Sequence, residues 1–122
     1  MNRNVLALAY LGDAVYEIFI REYLMHKNIE KVNDLQKEAT KYVSAKGQEK
    51  YLLDMIENNF LEEDELAIVR RGKNHKSTKH PKNTDIMTYK NATGLETLLG
   101  ALYLENKMER VSEIMDYILK EN

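Results

Sequence analysis

The stretch from Leu6 to Leu24, LALAYLGDAVYEIFIREYL, limits what this chain can become more than any other. Apolar residues occupy nearly every position from Val5 to Ile20. Leu6, Tyr10, Ala14 and Phe19 point several ways around a helix, as do Leu8, Leu11, Val15 and Ile18. A helix that is apolar all round must be covered all round. In a chain of 122 residues, the extra cover expected is a second copy across a two-fold axis. The middle of the run also holds Gly12, which costs about 1 kcal/mol relative to alanine in a helix. Asp13 follows it, and a carboxylate in apolar surroundings is destabilising unless a cation or hydrogen-bond donors compensate it.

The rest of the chain reads as helix too. It has one proline and five glycines, apolar residues recur at spacings of three and four, and no strand alternation, internal repeat or low-complexity segment interrupts them. The expected fold class is all-α, a single helical domain over residues 1–122. A second helix is expected from about Asp34 to Ile56, capped by Asn33, with Leu35, Ala39, Tyr42, Val43, Leu52, Leu53 and Ile56 inward and a break at Gly47. A shorter one follows from Glu62 to about Arg71, acidic at its start and basic at its end as the helix dipole favours. Asn83 to Asp85 cap the next, which runs through Asn106. An amphipathic helix from Met108 to Lys120 ends the chain, packing Val111, Ile114, Met115 and Ile118.

The absence of cysteine excludes disulfides, thiolate catalysis and Cys-ligated metal, so any metal is held by oxygen or imidazole. No apolar run has membrane-spanning length, and Asn2, Arg3 and Asn4 do not introduce a signal peptide; a cytoplasmic protein with no membrane partner is expected. The net charge of -2 argues against nucleic acid, but its distribution argues for it. RRGKNHKSTKHPK, residues 70–82, holds six of the 18 Lys and Arg and none of the 20 acids, a local +6 against -8 elsewhere. Such a loop is either a solvated segment or a polyanion contact. On the second reading Arg70, Arg71, Lys73, Lys76, Lys79 and Lys82 take phosphates, and Asn74 and Ser77 hydrogen-bond. Lys41, Ser44, Lys46 and Gln48 are weaker candidates. His75 and His80 make a poor metal site amid positive charge, and His26 suits a helix C-terminus.

The helix around Ala92 to Leu104 repeats the first helix's anomaly. Glu96 lies among Leu95, Leu98, Leu99 and Leu102, with Gly94, Gly100 and Ala101 permitting close helix approach. A lone Glu can tip to the surface. Two acids, each near a glycine in the chain's two most apolar helices, can instead share a hard divalent cation if those helices cross. Glu17, one turn beyond Asp13, is either a further ligand or a surface carboxylate.

These residues match a known pattern. LAYLGDAVYEIFIRE resembles the signature helix of the ribonuclease III catalytic domain, and ATGLETLLGALYLE resembles its second acidic helix. KEATKYVSAKGQ and the segments RRGKN, PKNTD and YKNATG are similar to Mini-ribonuclease III, the bacterial branch that lacks a double-stranded RNA-binding domain. The resemblance covers nearly the whole chain. It implies a homodimeric, magnesium-dependent endoribonuclease, with Mn2+ able to substitute, that cleaves double-stranded RNA by metal-activated water. It further implies maturation of large-subunit (23S) ribosomal RNA precursors, with a ribosomal protein on the RNA as a possible helper. Asp13 and Glu96 match the metal-ligand carboxylates. Full-length ribonuclease III has Glu where this chain has Ala9 and Asp where it has Thr93, losses that the Mini branch shares. Tyr10, Leu11 and Ala14 are candidates for the subunit contact, or for packing within one subunit. The competing readings are a catalytically silent dimeric RNA-binding or ribosome-associated module and a helical protein-interaction domain. The second of these leaves the basic loop unexplained.

Overall fold

The computed structural model describes residues 4–75, 82 and 84–120. Six helices follow in order: α1 (Val5–Met25), α2 (Val32–Val43), α3 (Ala45–Glu57), α4 (Glu63–Lys73), α5 (Ile86–Leu104) and α6 (Met108–Lys120). The class is all-α, and no strand occurs among the described residues. No described helix is long and apolar enough to cross a membrane.

The helix ends follow local chemistry. Asn4 caps α1, its side-chain oxygen accepting from the Leu6 and Ala7 N–H groups. Asp85 does the same for α5 with Met87 and Thr88. At the far ends of α3 and α5, Asn59 and Asn106 adopt left-handed φ values of 56° and 60°. The next residues, Phe60 and Lys107, return their N–H groups to Met55 and Leu102, closing two Schellman turns. That turn ends α5 at Leu104, two residues before the expected Asn106.

The expected second helix is two. Its break lies at Ser44, not Gly47: Ser44 closes α2 in extended backbone and caps α3 through its hydroxyl, which accepts from the Gly47 N–H. Gly47 serves another need, since a Cβ there would sit 2.2 Å from the Lys41 carbonyl oxygen. The start of α2 also differs, with Lys31 at the cap position and Asn33 inside the first turn. Because the break resets the helical phase, Tyr51 and Met55 turn inward beside Leu52, while Leu53 faces solvent.

The centre of the molecule is α5 rather than α1. Asn91 to Leu95 and Thr97 to Leu102 are buried without interruption, packed by α1, α3 and α4. The core joins Tyr16, Ile20, Leu52, Met55, Leu95, Leu98, Leu99, Ile114, Met115 and Ile118. Glycines permit the closest approaches. A Cβ on Gly12 would lie 1.7 Å from the Glu96 carbonyl oxygen, and one on Gly100 would lie 2.0 Å from that of Leu8. The backbones of α1 and α5 therefore touch where the two acids sit. On the next side of α5, Gly72 of α4 meets Gly94 and Thr97 in the same manner.

The first helix is not covered all round by its own chain. Leu6, Tyr10, Ala14, Ile18 and Met25 form an exposed stripe, with Tyr10 85% and Ile18 61% accessible.

Candidate active site

Gly12 brings α1 onto the backbone of Glu96, so Asp13, the next residue, enters the crossing with it. Asp13 is exposed and Glu96 half-buried. Burial and then the Asp13 charge push the Glu96 carboxyl up to about 8; a hydrogen bond from Gln48 works the other way, and one shared with Asp13 favours the proton. Two carboxyls held together against their own repulsion form an oxygen-donor pair that a hard divalent cation would relieve. The donor chemistry therefore fits a cation such as Mg2+.

Among the described residues no group of three or more His, Asp or Glu side chains comes together to hold a metal. Glu17 is one turn further along α1, and its carboxylate takes the Arg21 guanidinium. The two positions where full-length ribonuclease III carries further acids are neutral and buried here. Ala9 packs into the interior, and the Thr93 hydroxyl donates to the Tyr89 carbonyl at 3.0 Å.

The basic segment begins on a helix. Arg70, Arg71 and Lys73 form the last turn of α4 and Asn74 is its C-cap, so the loop starts later than the sequence suggests. Arg70, Arg71, Asn74 and Lys82 are exposed and Lys73 is half-buried. Gly72, in the midst of them, rests on Gly94 and Thr97, the residues that bracket Glu96 on α5. Lys76, Ser77, Lys79 and His80 lie outside the described residues. Of the weaker candidates, Lys46 is exposed, Lys41 pairs with Glu38, and Ser44 is spent on capping α3.

Gln48 is not surface at all. It is 3% exposed, and its side-chain Nε2 donates to Glu96 at 3.2 Å and to the Val43 carbonyl at 3.1 Å. Its place among the polar residues of KEATKYVSAKGQEK gives no sign of this, because a polar side chain on a helix ordinarily faces water.

Residues 6–107 match the model of the Ribonuclease III domain. The chain is 45% identical to the Mini-ribonuclease 3 of Enterococcus faecalis over 117 residues, 96% of this chain and 89% of that protein. It is 47% identical to the Mini-ribonuclease 3 of Brevibacillus brevis over 112 residues, 92% and 82% of the two chains. The chain belongs to the ribonuclease III family. Within it, the relatives place the chain in the Mini-ribonuclease 3 branch, and it is accordingly an endoribonuclease. A crystal structure of a protein from Fusobacterium nucleatum superposes with a TM-score of 0.86 at 35% identity, covering 98% of this chain and 94% of that one. Ribonuclease III enzymes depend in general on divalent metal, which agrees with the oxygen-donor pair at the α1–α5 crossing.

Proposed function

We propose that this endoribonuclease cleaves double-stranded RNA, with Asp13 and Glu96 holding Mg2+ at the crossing of α1 and α5. The observation that carries the reading is the pairing of those carboxyls at a backbone contact that only glycine permits. When bound, the cation would activate water and offset charge developing on the phosphoryl oxygens, and Mn2+ would serve in its place. Asp13 contributes an exposed carboxylate and Glu96 a half-buried one, so the pair faces a substrate at the surface rather than in an enclosed pocket.

Duplex RNA is recognised mainly through its shape and its phosphates and 2'-hydroxyls. Arg70, Arg71, Lys73, Asn74, Lys76, Lys79 and Lys82 supply phosphate contacts on this reading. Its support is their clustering without any acid and the seating of Gly72 beside the Glu96 segment. The exposed stripe on α1 takes a second copy of the chain, with Tyr10 and Ala14 in the contact, which gives two sites for two antiparallel strands; Leu11, the third candidate, packs half-buried against the core of its own chain. The substrate class proposed is a stem of the 23S ribosomal RNA precursor, presented in the cytoplasm with or without a ribosomal protein bound.

Purified protein, a precursor stem and either Mg2+ or EDTA test this directly. Asp13→Asn is expected to reduce cutting by roughly a thousandfold or more, since several kcal/mol of metal stabilisation is at stake. RNA binding is expected to persist, because the change removes a charge that repels phosphate. Cleavage by the variant at the wild-type rate would overturn the site. Sedimentation at micromolar concentration is expected to show a dimer that Tyr10→Asp dissociates; a wild-type monomer would refute the subunit contact.

A further inference from the structure

The amide of Gln48 is buried between two acceptors, the Val43 carbonyl and one oxygen of Glu96. The Val43 carbonyl can only accept, so the side chain must turn its NH2 toward it, and the same NH2 reaches Glu96. Its Oε1 is left buried with no partner. An apolar side chain of similar volume would fill this space without burying an unmatched acceptor. What the amide adds is its donors.

We propose that Gln48 is a positioning residue, fixing the Glu96 carboxylate in the orientation that receives the cation. This rests on the reading of Asp13 and Glu96 as the metal pair. The support for Gln48 is itself anchored. Tyr42, the residue before Val43, accepts the buried Tyr16 hydroxyl of α1 at 2.7 Å. Tyr16 lies three residues beyond Asp13. Gln48 thus links Glu96 on α5 to a backbone turn that is tied to the helix bearing Asp13. The next residue, Glu49, accepts from Thr88 at 3.0 Å and Asn91 at 2.7 Å, which registers the start of α3 against α5. Carboxylates that bind metals depend on such supporting hydrogen bonds for their orientation, and losing one typically weakens metal affinity or activity 10- to 100-fold.

The test is Mn2+ binding to the RNA-free protein, followed by electron paramagnetic resonance, for wild type, Gln48→Met and Glu96→Gln, with a thermal melt of each. Gln48→Met keeps the length and removes both donors. It is expected to bind Mn2+ about 10- to 100-fold more weakly while melting cooperatively and binding RNA as before in EDTA. Its cleavage should recover when Mg2+ is raised in proportion, whereas Glu96→Gln should not recover. Should Gln48→Met fail to fold, Gln48→Asn is read the same way, its amide one methylene too short to span both acceptors. Wild-type Mn2+ affinity in a folded Gln48 variant, beside loss of binding in Glu96→Gln, would overturn the role of Gln48 alone. Undiminished binding by Glu96→Gln would remove the metal pair and the role of Gln48 together.

Discussion

Glu65 and Glu96 are the same residue type on neighbouring helices, and their surroundings drive them in opposite directions. Glu65, on α4, is nearly buried, yet Arg110 of α6 grips it through two hydrogen bonds of 2.7 and 2.8 Å. Burial alone would raise its pKa; the Arg110 hydrogen bonds, the Glu62 backbone N–H and nearby positive charge together hold it below the usual carboxylate range. Glu96 faces another acid rather than a base, and burial, with the Asp13 charge behind it, pushes it up to about 8. A satisfied carboxylate fastens helices together. One without a cationic partner, opposite a second acid at the surface, is arranged for something that arrives from outside.

Removing each partner separates the two cases most sharply. Arg110 also donates to the Phe60 carbonyl and to Glu113, so it fastens α6 to the turn before α4. Arg110→Met leaves Glu65 buried without its cation, held by the Glu62 N–H alone, and is expected to cost about 3 to 5 kcal/mol in urea unfolding. The double variant with Glu65→Leu should recover most of that loss. Removing the neighbour of Glu96 has the reverse sign: Asp13→Asn relieves repulsion and should raise the stability of the metal-free protein at pH 8 while abolishing cleavage. A stability loss in Asp13→Asn like that of Arg110→Met would mean that Asp13 is structural.

The two acids differ equally in how far the sequence discloses them. Asp13 and Glu96 stand out because charges in uniformly apolar helices have no ordinary explanation, and Gly12 marks the crossing that joins them. Glu65 looks like one of several first-turn acids, and its partner is 45 residues away. Gln48 is hidden for the same reason, since a contact 48 residues distant leaves no local pattern. The inward face of α3 departs from the periodicity because Ser44, which resembles any helix-interior serine, ends one helix and begins another. Periodicity identifies elements reliably only while their phase runs unbroken.

Stability against pH should show the two carboxylates as opposite slopes. An unfolded Glu releases its proton near 4.5, whereas folded Glu96 holds its proton up to about 8. Between these values the folded state binds more protons, so metal-free stability attributable to Glu96 falls as pH rises from about 4.5 to 8. For Glu65 the unfolded state binds more protons, so its contribution is present above about 4.5 and is lost as pH falls through its lowered folded value. Glu96→Gln is expected to flatten the alkaline limb by a few degrees of melting temperature, leaving the acid limb intact. Mg2+ should stabilise wild type more at pH 8 than at pH 5, because binding must displace the Glu96 proton at the lower pH. A wild-type alkaline limb unaffected by Glu96→Gln would show that the carboxyl is not held against its charge.

Glu17 is the acid that the comparison can still sort. It lies on the same helix as Asp13, one turn on, but resembles Glu65 in having an arginine, Arg21, and differs from it in lying at the surface. An exposed i,i+4 pair contributes about 0.3 to 0.5 kcal/mol. Glu17→Gln is therefore expected to change both stability and cleavage by less than about threefold, the equivalent of that energy with a margin. Measured beside Glu96→Gln at several Mg2+ concentrations, it places Glu17 with the structural carboxylates if the half-saturating Mg2+ stays put. A tenfold rise in that concentration would instead mean that Arg21 releases Glu17 to the cation, making it a third carboxylate of the site.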